Sequence, residues 1–401
     1  MSRARSGRQS GSKPTIVSLY SGCGGFDAGF AAAGFEPTAA FDIDPLAVAA
    51  FNANIRSVAR VLDLSEFSPD VCAPDVLLAG APCQGFSTSG KRLVRDPRNH
   101  LLVRAGEIAA ALRPKVFVLE NVPAALSGSH SRHWCQVEDL MRLQGYNVRR
   151  FLAKGIESGV AQLRNRMFMI AWRGSDCIRV EPSPRDQLTL KTSLAGLSAS
   201  STHDAEALPA ETDKGKIARR IGPGQKLSNV RGGVTSVHTW QIPEVYGAVS
   251  QREAQLLDVL LVLRRRDRKR DFGDADPVSP SKLKSALGWD VDQTLKRLIA
   301  KGYVRRVGRQ VDLVHTYNGK FRRLQWDAPS PTVDTHFGEA ALFLHPTDHR
   351  GFSSREAARI QGFPDGFEFP EVRTAAFRMI GNAVPPPMSE RIAEFVRDIL
   401  I

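Results

Sequence analysis

At 401 residues with 42% hydrophobic side chains, the chain is too long for one ordinary core and too apolar for wholesale disorder, so two domains are expected. Fifty-five Lys and Arg against 42 Asp and Glu leave a formal charge of +13, which points to a polyanionic partner, with a solubilising surface as the plainer alternative. The five cysteines, at 23, 72, 83, 135 and 177, are odd in number and lack CxxC spacing, which argues against a disulfide framework and a structural zinc site; no metal is expected.

Residues 1–14, MSRARSGRQSGSKP, read as a disordered basic tail with no apolar segment behind them to make a signal peptide. No apolar run reaches the ~18 residues that span a bilayer, so no membrane role is expected and the chain reads as cytoplasmic and monomeric. From Thr15 to about Arg173, β-rich runs without polar alternation (TIVSLY, VLLAG, KVFVLENV, RMFMIAW) alternate with helical stretches such as PLAVAAFNAN and HLLVRAGEIAAAL. That rhythm predicts a doubly wound α/β sheet, in a domain over 15–185, with ligands beyond the carboxyl ends of its strands.

The first strand runs into SGCGGFDAGF, where Gly22, Gly24 and Gly25 bring backbone amides to the start of a helix. Alone, this loop suits a dinucleotide, a nucleoside or merely a tight turn. The next strand, TAAFDID, delivers Asp42 and Asp44 at its carboxyl end, where a carboxylate can accept from a ribose diol. Asp63 ends the β-like run VARVLD and could face an adenine amino group. Each of these acids could instead cap a helix, and for Asp44, just before Pro45, the cap is the preferred reading. Without G-x-G-x-x-G spacing, the loop fits a nucleoside cofactor better than NAD, and S-adenosylmethionine is the leading candidate.

From Glu181 to Lys216 the composition turns to Ser, Thr, Ala and Pro, as in a linker or the irregular edge of a second domain, which is placed at 186–344. Within it, residues 250–315 read as three helices (QREAQLLDVLLVLRRRDRKR, SPSKLKSALG, DVDQTLKRLIAKG) and a hairpin turning at Val307-Gly308. Helices and hairpin in that order suggest a winged helix-turn-helix; a helical insertion without a DNA role is the alternative. After about Pro346 the chain returns to the style of the first domain, so 345–401 is assigned to it.

Five segments in fixed order carry more than any one of them: GAPCQGFSTSG after VLLA, ENVPAAL after KVFVL, then QLRNRMFMIA, SPTVDTHFG, and GFPDGF with MIGNAVPP. This succession resembles the DNA cytosine-5 methyltransferase family over residues 15 to about 173 and 320 to 400. The resemblance implies a Rossmann-like S-adenosylmethionine-dependent catalytic sheet with a smaller target-recognition domain. It implies double-stranded DNA as partner and a restriction-modification setting with a cognate restriction endonuclease. Methyl transfer to carbon 5 of a flipped-out cytosine is the implied reaction.

By the same resemblance Cys83 is the nucleophile that adds to carbon 6, and Glu120 serves N3 of the ring. Arg164 is placed on the cytosine O2, and Arg166 as a neighbour that braces the site. The cofactor is expected against Tyr20, Gly22, Gly24, Gly25 and Phe26, then Asp42, Ile43, Asp63 and Leu64. Pro82, Leu101, Asn382 and Val384 would line the rest of its pocket. Asp42 departs from the family's usual Glu. Ser89, Lys91, Arg92, Arg95 and Arg98 form the expected DNA-facing lid, whose alternative is an exposed loop, and Thr332 is placed near the target-strand backbone. Two other functions stay open: an RNA (tRNA) cytosine-5 methyltransferase and a catalytically inactive DNA-binding homologue.

Overall fold

The computed structural model describes residues 13–82, 100–126, 128, 131–174, 183–197, 204–230, 232–269 and 275–400. The chain divides into two compact units, one comprising residues 1–202, 327–335 and 354–401, the other 203–326 and 336–353.

The first unit is built on a seven-stranded sheet: β1 (Thr15–Leu19), β2 (Glu36–Asp42), β3 (Ala59–Val61), β4 (Val76–Gly80), β5 (Val116–Asn121), β6 (Asn147–Lys154) and β7 (Asn165–Trp172). Their order is β3-β2-β1-β4-β5-β7-β6. β1 to β5 pair in parallel, whereas β7 is antiparallel to both neighbours. Apolar runs without alternation mark strands buried on both faces, and β5 is buried at all six positions. Alternate residues feed two cores. Leu77, Ala79, Phe117 and Leu119 meet α3 (His100–Leu112) and α4 (Ser131–Leu143) on one side. Val76, Leu78, Val116 and Val118 meet α1 (Gly25–Ala32) and the C-terminal helix Pro386–Leu400 on the other. The strand order reverses between β1 and β4, and that switch point opens a crevice at the carboxyl ends of the strands.

Two features differ from the sequence expectation. Near the far edge of the sheet β7 runs antiparallel to both neighbours, because the chain returns from β6 to β7 through a short connection that needs no crossover helix. The Ser/Thr-rich stretch also holds short helices at Leu190–Leu194 and Asp213–Arg220, each started by a threonine cap, Thr189 and Thr212. Leu190 is fully buried, so this stretch contributes to packing.

The second unit has a small three-stranded sheet, whose strands include Lys226–Ser228 and Asn318–Lys320, over a core containing Leu208, Ile217, Leu227 and Phe321. Inserted between its strands are the helices Gln251–Arg266, Pro280–Leu287 and Asp292–Ala300 and the hairpin Val304–Val307/Gln310–Leu313. Gly308, at φ 59, lies in the two-residue turn of that hairpin.

Candidate active site

A cavity of about 590 Å³ lies in the first unit, at the carboxyl ends of β1, β2, β4 and β5. Its floor begins where β1 ends. Tyr20 holds φ 54, a left-handed conformation that a bulky side chain adopts only when its surroundings fix it. Here the phenol donates to the Leu101 carbonyl at 3.1 Å, and burial pushes its pKa upward. The glycine loop follows. Gly24, at φ 92, is the N-cap of α1, and a β-carbon there would lie 2.8 Å from Phe51 and from Ile55.

Asp42 ends β2 in the same wall. One of its oxygens accepts from the Gly22 amide (2.8 Å), the other from the Asp44 amide (2.9 Å). The two amides aim the carboxylate while burial raises its pKa. Asp44 accepts from the Leu46 amide at the start of α2 (Pro45–Asn54) and pairs with Arg378 at 2.6 Å, so its cap reading holds. Asp63 takes both the amide and the hydroxyl of Ser65 on one oxygen (2.9 and 2.6 Å), and those bonds lower its pKa.

Phe26, Ile43, Pro82, Leu101, Asn382 and Val384 also line this cavity, beside Tyr20, Gly22, Gly25, Asp42 and Asp63. Leu64 and Gly24 do not. Leu64, 2% exposed, belongs to the core beneath.

Glu120, near the end of β5, reaches the cavity with only 7% of its surface exposed. Arg166, at the start of β7, pairs with it at 2.7 Å and lines the cavity too. Burial pushes the Glu120 carboxyl above the usual carboxylate range, against the pull of the Arg166 and Arg164 charges.

The two arginines stand differently from the sequence expectation. Arg164 is fully buried and absent from the cavity wall. It donates to the carbonyls of Val333 (2.9 Å), Gly381 (3.0 Å) and Ala383 (2.8 Å). These acceptors lie in an irregular segment and at the end of the helix Arg373–Asn382, where buried carbonyls need an outside donor. Arg164 is therefore the brace, and Arg166 the arginine that faces the site. Gln162 joins the brace, receiving the Val333 amide at 3.1 Å and donating to the side chain of Gln361.

Sequence reading missed Asp27. It is 0% exposed in the first turn of α1, lines the cavity and accepts from the Ser18 hydroxyl; burial pushes its carboxyl up to about 7. An acid in a first helical turn is so common that nothing local marked this one. Thr332 donates to the Leu163 carbonyl at 3.2 Å. Cys83, Ser89, Lys91, Arg92, Arg95 and Arg98 lie outside the described residues; in sequence Cys83 directly follows the cavity residue Pro82. Among the described residues no cluster of His, Cys, Asp and Glu could hold a metal ion, and no helix is long and apolar enough to cross a membrane.

The family model of the C-5 cytosine-specific DNA methylase matches residues 14–397. The type II methyltransferase M.AgeI of Thalassovita gelatinovora is 28% identical, over 95% of this chain and 98% of that protein. M.NgoFVII of Neisseria gonorrhoeae, also a type II methyltransferase, is 29% identical over 98% and 87%. In fold, the chain matches a solved Escherichia coli prophage-encoded protein described as a DNA modification methyltransferase. That match has a TM-score of 0.59 at 22% identity and covers 97% of this chain and 99% of the other.

Proposed function

This chain belongs to the C-5 cytosine-specific DNA methylase family, and on that footing we propose that it methylates carbon 5 of a cytosine flipped out of duplex DNA. The observation that carries the reading is one cavity holding both the aimed Asp42 carboxylate and the buried Glu120–Arg166 pair.

The cavity residues fit S-adenosylmethionine as methyl donor. The volume is ample, the wall is largely apolar with a few fixed polar groups, and Asp27 keeps a buried oxygen with no hydrogen-bond partner there. Asp42 would hold the ribose, and Tyr20, Pro82 and Leu101 the adenine. When bound, the donor supplies an electrophilic methyl group.

Carbon 5 of cytosine is too electron-poor to accept that group unaided. Cys83, as thiolate, forms a bond from sulfur to carbon 6 and pushes electron density onto carbon 5. Glu120, whose carboxyl burial pushes upward, hydrogen-bonds or protonates N3 and so lowers the cost of that addition. Arg166 orients the Glu120 carboxyl. Once carbon 5 is methylated, a base removes its proton, the carbon–sulfur bond breaks, and the N3 proton returns to Glu120. The basic loop that follows Cys83 would close on phosphates, with Ser89 near the vacated space and Thr332 near the target strand. The names of the type II relatives support a modification role beside a cognate endonuclease.

The adduct is tested with duplex DNA in which every cytosine carries fluorine at carbon 5, because elimination then has no proton to lose. The unaltered protein with its donor should form a species stable on a denaturing gel, and Cys83→Ser should form none. Methyl transfer to ordinary duplex without any such species would overturn the covalent route, and transfer to tRNA alone would favour the RNA reading.

A further inference from the structure

Inserted in the second unit, residues 250–314 have a core of their own and a charge of their own. The helix Gln251–Arg266 starts at a capping box formed by Ser250 and Glu253. Val278 then bridges antiparallel to Val311, so a one-residue strand joins the later hairpin. The helix Pro280–Leu287 ends on Gly288 at φ 73, and the helix Asp292–Ala300 begins four residues after that glycine. A glycine-containing turn of this length between two helices is the helix-turn-helix joint. The hairpin completes the order helix, strand, helix, helix, strand, wing, strand. Leu256, Leu260, Leu283, Leu295, Leu298 and Val311 close a core at 0–2% exposure.

Several cations of the insertion serve its fold. Arg264 and Arg305 both pair with the buried Asp312, fastening the first helix to the hairpin. Arg297 and Lys301 pair with Glu253, which is 2% exposed, fastening the third helix to the first. Lys282 pairs with Asp267 and Lys284 with Asp290. Lys296 on the third helix and Arg306 and Arg309 at the wing are exposed and have no ion-pair partner among the described residues. Over residues 251–314 there are fifteen Lys and Arg against nine Asp and Glu.

We propose that this insertion is a winged helix that makes a second contact to duplex DNA, with the outer face of Asp292–Ala300 in a groove and the wing on phosphates. The proposal rests on the reading that the substrate is DNA, and it adds a contact outside the methylating cavity. The outer face of the third helix presents Gln293, Lys296 and Ala300, all exposed, at i, i+3 and i+7. It carries no aromatic or aliphatic anchor of the kind that dominates protein–protein hot spots, whereas Gln and Lys suit base edges and phosphates. The wing adds two unpaired guanidinium groups within four residues.

The test is a full-length K296E/R306E/R309E variant, checked for fold by circular dichroism and for donor binding by calorimetry. Duplex affinity is measured by fluorescence anisotropy from about 50 to 300 mM salt. The expected result is at least a tenfold loss of affinity and a salt slope smaller by roughly 2 to 3, since each phosphate contact contributes about 0.9. Donor affinity and kcat at saturating DNA should stay as they are. Unchanged affinity and slope in the folded variant would overturn the proposal, and with it any preference for DNA over a protein partner at this surface. If the triple variant misfolds, K296A and R309A are read singly, each expected to lower the slope by about one. Failure of the methylation reading is separate, because there the unaltered protein would give no methylated cytosine.

Discussion

Replacing Asp27 by Asn tests whether the buried acid under the glycine loop is neutral in the folded chain. Asp27 is fully buried, holds one hydrogen bond from Ser18, and has its carboxyl pushed up to about 7 by burial, from an ordinary value of 3.8. The folded state therefore holds a proton that the unfolded chain releases between about pH 4 and 7. By linkage, the stability that Asp27 contributes is fully present below about pH 4 and is lost as pH rises through that window, levelling off above 7. Three pH units correspond to roughly 4 kcal/mol at 1.36 kcal/mol each, which is a ceiling because partial opening lets water reach the charge. Asparagine keeps the shape and the acceptor for Ser18 but cannot ionise. Urea midpoints at pH 5, 6, 7 and 8, followed by tryptophan fluorescence, should thus show Asp27→Asn gaining on the unaltered protein by roughly 1–3 kcal/mol from pH 5 to 8, since about two of the three pH units fall in that range. A difference between the two proteins that stays constant over that range would refute the reasoning.

Two other substitutions probe the scaffold. Gly29→Ala would put a β-carbon 2.3 Å from the Glu390 amide nitrogen and 2.4 Å from the Pro386 carbonyl, where α1 crosses the C-terminal helix. Backbone cannot give way as a side-chain tip can, so a loss of roughly 1–3 kcal/mol or more is expected in the unfolding midpoint. Arg164→Ala strands three buried carbonyls and should cost several kcal/mol of stability. Arg166→Lys should leave the fold but lower kcat at least tenfold, because an ammonium cannot reproduce the guanidinium's fixed geometry beside Glu120. Parallel thermal melts and single-turnover assays separate the two arginines.

Much of the first unit is legible in sequence because its signals are local. TIVSLY, VLLAG and KVFVL lack polar alternation, and those stretches are strands buried on both faces. The glycine loop and the acid ending β2 are likewise readable, since a tight turn and a strand-end carboxylate each leave a short mark. What escaped reading depends on distant partners. QLRNR announces two arginines, yet their division of labour is set by carbonyls about 170 to 220 residues away. Asp27 looks like any first-turn acid until Ser18 and the covering core are in place. The Ser/Thr-rich stretch reads by composition as a linker or the irregular edge of a second domain, and the helices that its threonines cap, burying Leu190 and Ile217, leave no mark in that composition.

The central claim is carbon-5 methylation of cytosine in DNA. The direct measurement incubates the purified protein with duplex DNA and S-adenosylmethionine labelled in its methyl group, then digests the DNA to nucleosides and separates them. The label is expected in 5-methylcytosine, and absent when Cys83→Ser or Glu120→Gln replaces the unaltered protein. Label in N4-methylcytosine or N6-methyladenine, or full labelling by Cys83→Ser, would contradict the account.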